Sequence, residues 1–154
     1  MNLKKEHKII INRTAWVLFI AYIIVLVYFL FFSERYGRGS SGGGYRCNLV
    51  LFKEIRRFVV YRHILGWESF VVNIFGNVFA FAPFGFVLPV ISPQNRKFIN
   101  VALLSLELTL TIEVMQLLLK VGIFDVDDIF LNTLGGMIGY LGFWLVWKFF
   151  KRKK

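Results

Sequence analysis

Apolar residues along this chain gather into four runs, each long enough to cross a bilayer, separated by charged or glycine-rich segments. The first, 14–32 (TAWVLFIAYIIVLVYFLFF), is 19 residues without a charge, close to the ~20 that a ~30 Å hydrocarbon core requires. Lys4, Lys5, Lys8 and Arg13 precede it as the basic start of a secretory signal would. The run is too long for a signal core, however, and it ends in Phe-Phe-Ser instead of a small-residue cleavage site. The second run, 70–91, carries Pro83 and Pro89, which are expected to kink or end its helix. The third covers 98–119, and the fourth runs from about 127 to 147 and leads into KFFKRKK.

Between the first two runs lie two unlike segments. Residues 33–46 (SERYGRGSSGGGYR) read as a flexible linker rich in glycine and serine. Residues 48–65 (NLVLFKEIRRFVVYRHIL) return to helical periodicity. Leu51, Phe52, Ile55, Phe58 and Val59 share one face, while Lys53, Arg56, Arg57 and His63 lean to the other. That segment is too charged to span and fits a helix lying in the outer interface. The pattern therefore predicts an all-α polytopic membrane protein: one domain over 1–154 with four transmembrane helices plus an outer interfacial amphipathic helix. No internal repeat is visible.

Composition agrees. A length of 154 residues suits one domain, while 57% hydrophobic residues and a mean hydropathy of +0.63 exceed ordinary soluble composition. The formal net charge of +10 would suggest nucleic acid in a soluble protein. Here the basic residues cluster at both termini and between apolar runs, so the expected partners are membrane lipids with anionic headgroups, and no nucleic acid. The single cysteine, Cys47, excludes an internal disulfide and a cysteine-based metal cage, and reads as an inert thiol. With both termini cytoplasmic, eleven lysines and arginines lie inside and eight outside, seven of the latter in the long loop. The positive-inside rule and the uninterrupted basic flanks favour that orientation.

Residues 113–132, EVMQLLLKVGIFDVDDIFLN, hold four carboxylates, a glutamine and an asparagine beside these spans. The topology explains why. Asn73 and Asn77 sit near the outer end of the second span, and Glu113 and Gln116 share a face near the outer end of the third. Asp125, Asp127, Asp128 and Asn132 open the fourth. All fall at one depth, and inverting the protein would move the cluster without dispersing it. Gly135, Gly139 and Gly142 continue the stripe below Asp128 and Asn132, and small residues let helices approach closely in lipid. Gly76 and Ala80 are expected to do the same beside Asn73 and Asn77. The combination suggests a polar pocket inside a four-helix bundle, open outward. Whether the stripe packs within one chain or between two stays open, as does the oligomeric state.

NIFGNVFAFAPFGFVLPVI resembles the N-x-x-x-N-x-x-x-F-x-P-x-G segment of the VanZ-like membrane proteins. LTIEVMQ followed by FDVDDIFLNTLGGMIGY resembles that family's second block, and NLVLFKEI its shorter N-L-x-P-F segment. The likeness covers about 48–140, with the blocks in the expected order. It implies a small polytopic protein of the bacterial cytoplasmic membrane and cell envelope, linked in the type member to low-level teicoplanin resistance. Carried over by position, the matching polar residues are Asn73, Asn77, Glu113, Gln116, Asp125, Asp128 and Asn132. Leu51 stands where proline is common, and an arginine frequent before the acidic pair is replaced by Ile123 or Phe124.

Each polar residue has a structural reading beside the functional one. Asp125 or Asp127 can cap the fourth helix, with Asp128 favoured by the helix dipole. Asn73, Asn77, Gln116 and Asn132 can serve as interhelical hydrogen-bond glue, at about 0.6 kcal/mol each. Glu113 lies mid-helix in a span, where ionisable residues mark sites by default. Glu107 lies in the same span, about 240° around from Glu113, and carries no assigned role. The chain has no G-x-S-x-G elbow, H-E-x-x-H motif or P-loop. An all-oxygen set of Glu113, Asp125 and Asp128 would suit Mg²⁺ or Ca²⁺, but no spacing is diagnostic, and no metal or cofactor is assigned.

Two functions of different class follow. The first is a binding module whose outer pocket engages a lipid, a lipid-linked envelope precursor or the tail of a lipoglycopeptide. The second is an intramembrane enzyme acting on a lipid-linked envelope substrate. There Glu113 would be the general base, Asp128 would orient it or hold a metal, and Asn73, Asn77 and Asn132 would donate hydrogen bonds to substrate oxygens. Glu113→Gln separates them, since a binder loses a graded amount and a general base nearly everything.

Overall fold

The computed structural model describes residues 3–32 and 45–152. The glycine-rich run 37–44 lies outside the described residues, so the expected linker is described only at Tyr45 and Arg46. Helix dominates the rest. Four helical segments, Ile9–Phe32, Trp67–Ile91, Phe98–Leu118 and Val126–Arg152, are long and apolar enough to cross a membrane. The chain is a polytopic membrane protein. Helix α1 (Leu3–Phe32) continues back through the basic segment ahead of its apolar run. Charge ends a membrane span without ending a helix, because lysine, arginine and glutamate are good helix formers.

The amphipathic segment is shorter than its periodicity suggests. Cys47–Asn48 is extended (β1) and pairs in parallel with Phe124–Asp125 (β2), which holds it out of the helix. Phe52 adopts a left-handed conformation with φ 65°, and helix α2 (Lys53–Val60) starts after it. The helix breaks at Tyr61, and α3 (Arg62–Leu65) follows before Gly66, at φ 88°, turns the chain into α4 (Trp67–Val71). Ile55 and Phe58 face inward, while Lys53, Arg56 and Arg57 are exposed.

The second span is one continuous rod made of α4, a π-helical turn at Val72–Gly76 and α5 (Asn77–Ile91). Both prolines lie inside α5 and neither ends it. After a short 3₁₀ turn at Pro93–Asn95 come α6 (Phe98–Leu118), β2 and α7 (Val126–Arg152).

Close packing of α5 on α7 organises the bundle. A Cβ at Gly135 would overlap the carbonyl oxygen of Val78, and one at Gly139 that of Ala82. A Cβ at Gly85 would overlap the Gly136 carbonyl. The glycine stripe therefore packs within this chain. Gly142 is looser, since a Cβ there would lie 3.4 Å from the Phe86 ring. Gly76 and Ala80 do not take the part expected of them. Among the described residues, a Cβ at Gly76 would meet only Val72 of its own rod, and Ala80 turns to α1, where its carbonyl accepts the Tyr22 hydroxyl at 2.7 Å. The small residues of α5 that matter against α7 are Ala82 and Gly85, one or two turns further along.

Two apolar clusters complete the core. Leu26, Phe81 and Ile112 join α1, α5 and α6, and Val101, Tyr140 and Phe143 join α6 and α7 beside Phe86. Outward faces carry exposed Ile24, Phe79, Leu103 and Leu145, which cost nothing against lipid tails as apolar as themselves.

Candidate functional site

The end of α1, the start of α4, the end of α6 and the start of α7 meet at one end of the bundle, and the expected polar residues gather there. Asp125 precedes α7, and its Oδ1 accepts the Asp127 N–H at 2.8 Å, the bond of an N-cap. The same oxygen accepts the Asn48 amide at 2.9 Å. The Asp125 N–H in turn donates to Glu113 Oε2 at 3.0 Å. Burial pushes the Asp125 carboxyl up from its ordinary value, partly offset by the Asp127 N–H and the Asn48 amide.

Asp127 does not cap its own helix. Its carboxylate turns to α2, where Oδ1 accepts the Phe52 N–H and Oδ2 those of Glu54 and Ile55 at 2.7 and 3.1 Å. The first turn of α2 is thereby satisfied, with Lys53 N–H on Val50 O and Arg56 N–H on Phe52 O. A negative charge stands at the positive end of that helix.

Asp128 Oδ1 accepts the Asn77 amide at 2.6 Å. Asn77 also donates to Asn73 O at 3.1 Å, and Asn73 to Ser69 O at 2.7 Å. The two asparagines thus bond carbonyls four residues back through the π-helical turn, a feature frequent at functional sites. Asn77 uses both amide hydrogens, so it has only an acceptor oxygen left to offer a ligand. The expected donor role does not hold for it. Gln116 Nε2 donates to Leu30 O at 2.9 Å, tying α6 to α1. Asn132 lies one turn deeper, with its amide on Thr109 Oγ1 at 2.9 Å.

A cavity of about 1020 Å³ opens at this end. Asn73, Asn77, Gln116, Asp125 and Asp128 line it. Glu113 and Asn132, each only 2% exposed, are not part of its wall. Glu113 instead stands behind the lining and anchors the backbone just ahead of α7, which supplies a structural reason for a carboxylate in the third span. Among the described residues, no three His, Cys, Asp or Glu side chains are placed to hold a metal ion.

Sequence reasoning missed four features of the site. Asn48 buttresses Asp125; it opens the NLVLFKEI segment, but nothing in the residue pattern names its partner. Arg46, Lys53 and Lys120 also line the cavity, bringing cations close to the acids where the family's usual arginine is absent. Lys120 Nζ lies 5.1 Å from the Tyr45 ring centroid. Lys120 itself sits at φ 56°, closing α6 with its N–H on Leu117 O and the Val121 N–H on Gln116 O, both at 3.1 Å. That is the Schellman pattern, where glycine is usual, and a lysine there costs roughly 1–2 kcal/mol.

Residues 19–148 match the family model described as VanZ/LLP1. The chain belongs to the VanZ/LLP1 family. It is similar to Protein VanZ of Enterococcus faecium, at 35% identity over 78 residues. That segment is 51% of this chain and 48% of the relative, so the match spans about half the length of each. No solved structure matches. The VanZ/LLP1 match takes in the whole cavity lining, from Tyr22 onward, and also Glu113 and Asn132 behind it.

Proposed function

We propose that this VanZ-family chain is a binding protein of the bacterial cytoplasmic membrane, with both termini in the cytoplasm and the cavity facing outward. It holds a lipid, a lipid-linked envelope precursor or the tail of a lipoglycopeptide there, and so lowers access of a teicoplanin-type antibiotic. The observation that carries this reading is the cavity itself, which joins a polar end built from Asn73, Asn77, Gln116, Asp125 and Asp128 to apolar side chains of α1 and α5. An amphiphile has that same division.

The enzymatic alternative asks Glu113 to act as general base. Glu113 is buried behind the lining and accepts the Asp125 N–H, and this favours binding over catalysis.

The test is teicoplanin susceptibility of a sensitive Gram-positive host expressing wild type, Asp128→Asn or Glu113→Gln, at matched membrane levels. Raised tolerance in wild type, abolished by Asp128→Asn and reduced in a graded way by Glu113→Gln, supports the reading. Unchanged susceptibility with well-inserted wild type removes the resistance role. Tolerance lost completely with Glu113→Gln at an unaltered unfolding temperature would favour the enzyme.

A further inference from the structure

Resting on that binding reading, we infer that the cavity takes a phosphate-bearing amphiphile, its phosphate among Arg46, Lys53 and Lys120 and its chain in the apolar slot between α1 and α5.

Charge is the first argument. Four acids and four bases line the cavity, so a count of charges favours neither sign. Their bonding breaks the tie. Both Asp127 oxygens accept backbone N–H groups, and Asp125 Oδ1 accepts two donors. Asp128 accepts the Asn77 amide, and Glu54 pairs with Arg57 at 2.7 Å. On the basic side, Arg46, Lys53 and Lys120 make no ion pair among the described residues. The acids are thus engaged in holding the fold, while three exposed cations can meet a ligand: Arg46, Lys53, which acts on Asp125 only through space, and Lys120, which rests over the Tyr45 ring. Lysine and arginine together suit a phosphate, since one supplies compact point charges and the other a planar fork.

The second argument is the shape of the apolar part. Tyr22, Val25, Leu26 and Phe29 of α1 and Phe79, Ala80 and Pro83 of α5 line it together. The Tyr22 hydroxyl bond to Ala80 O bridges the two helices at the first α1 residue of the lining. From Leu30 to Tyr22 the slot runs roughly 12 Å at 1.5 Å per residue. Val25, Phe29 and Phe79 are exposed, which leaves this part of the lining open to an entering chain. Free phosphate would use the cations and leave this slot without purpose.

Cys47 provides the test. It is the chain's single cysteine, exposed, and part of the lining next to Arg46, so its rate of maleimide labelling reports occupancy. The purified full chain in neutral detergent is labelled with lysophosphatidic acid, with monoacylglycerol of the same chain length, or with inorganic phosphate. Lysophosphatidic acid is expected to slow labelling about ten-fold, and the other two less than about two-fold, a difference of roughly 1 kcal/mol. The Lys53→Gln, Lys120→Gln double variant should lose the protection. The Lys53→Arg, Lys120→Arg pair should keep it, as should Lys148→Gln, Lys151→Gln, which removes equal charge at the opposite end.

Equal protection by monoacylglycerol overturns the phosphate and leaves a lipid-binding cavity standing. Equal protection by inorganic phosphate overturns the amphiphile. Loss in the arginine pair, or in the distant control, overturns the assignment to these two lysines. Protection by none of the three probes overturns both the inference and the cavity-binding reading beneath it.

Discussion

Asp127, on the first turn of α7, accepts the backbone N–H of Phe52, 75 residues earlier in the chain. With the Glu54 and Ile55 N–H groups on its other oxygen, a carboxylate that belongs by sequence to one helix caps another. The same contact fixes α2, which supplies part of the cavity lining. Asp127→Ala strips acceptors from three backbone donors and should lower stability by about 1–3 kcal/mol. Asp127→Asn keeps one acceptor oxygen and should lose less. Thermal unfolding in detergent measures both, and faster Cys47 labelling in the alanine variant would show α2 loosening. An unchanged unfolding temperature in Asp127→Ala would mean that this cap carries no stability.

Gly139 and Gly142 look alike in sequence and should behave differently. A Cβ at Gly139 overlaps the Ala82 carbonyl, whereas one at Gly142 reaches ordinary contact with the Phe86 ring. Gly139→Ala should therefore cost about 1–3 kcal/mol through forced separation of α5 and α7. Gly142→Ala should be neutral or slightly stabilising. Comparing the unfolding temperatures of the two variants in one detergent decides the matter, and equal effects would contradict the packing.

Asp125 predicts a pH dependence. Burial raises its pKa, so the native state holds this proton more tightly than the unfolded chain. The resulting contribution to stability is complete below the ordinary aspartate value and is lost as pH rises through the raised folded value. Asp125→Asn removes the titration and retains an oxygen for the Asn48 amide and the Asp127 N–H. Its stability relative to wild type should therefore improve as pH rises from about 4 to about 8. A difference that stays flat, or falls, would show that Asp125 ionises without cost in the fold.

Glu107 is exposed in the middle of α6, within the span Phe98–Leu118. A charge at the centre of a span costs roughly 2.5–3.5 kcal/mol on the insertion scale for aspartate and the basic residues. Glu107→Leu should therefore raise the membrane-inserted yield and leave any tolerance phenotype unchanged, because Glu107 is not part of the cavity lining. Reduced insertion would point to a contact that this face makes in the membrane.

Hydrophobic runs near the length of a bilayer admit few structures, so the four spans were legible without coordinates, and so was the polar end. Spans that alternate in direction must bring Asn73, Glu113 and Asp128 to one side. Gly135 and Gly139 were legible too, because a small residue every fourth position marks one helix face. What each polar group bonds to was not legible, since a hydrogen bond depends on positions a few tenths of an ångström apart on segments distant in sequence. Asp125 and Asp127 differ by two residues, yet one caps α7 and the other α2. The same limit hid the pairing of Cys47–Asn48 with Phe124–Asp125, which shortened the amphipathic helix. It also hid that Glu113 stands behind the cavity wall and accepts the Asp125 N–H. Composition and periodicity determine which surfaces meet lipid, because that choice rests on summed apolar area. Only the tertiary structure decided which carboxylates hold the backbone and which cations remain at the cavity, because that choice is made one donor and one acceptor at a time.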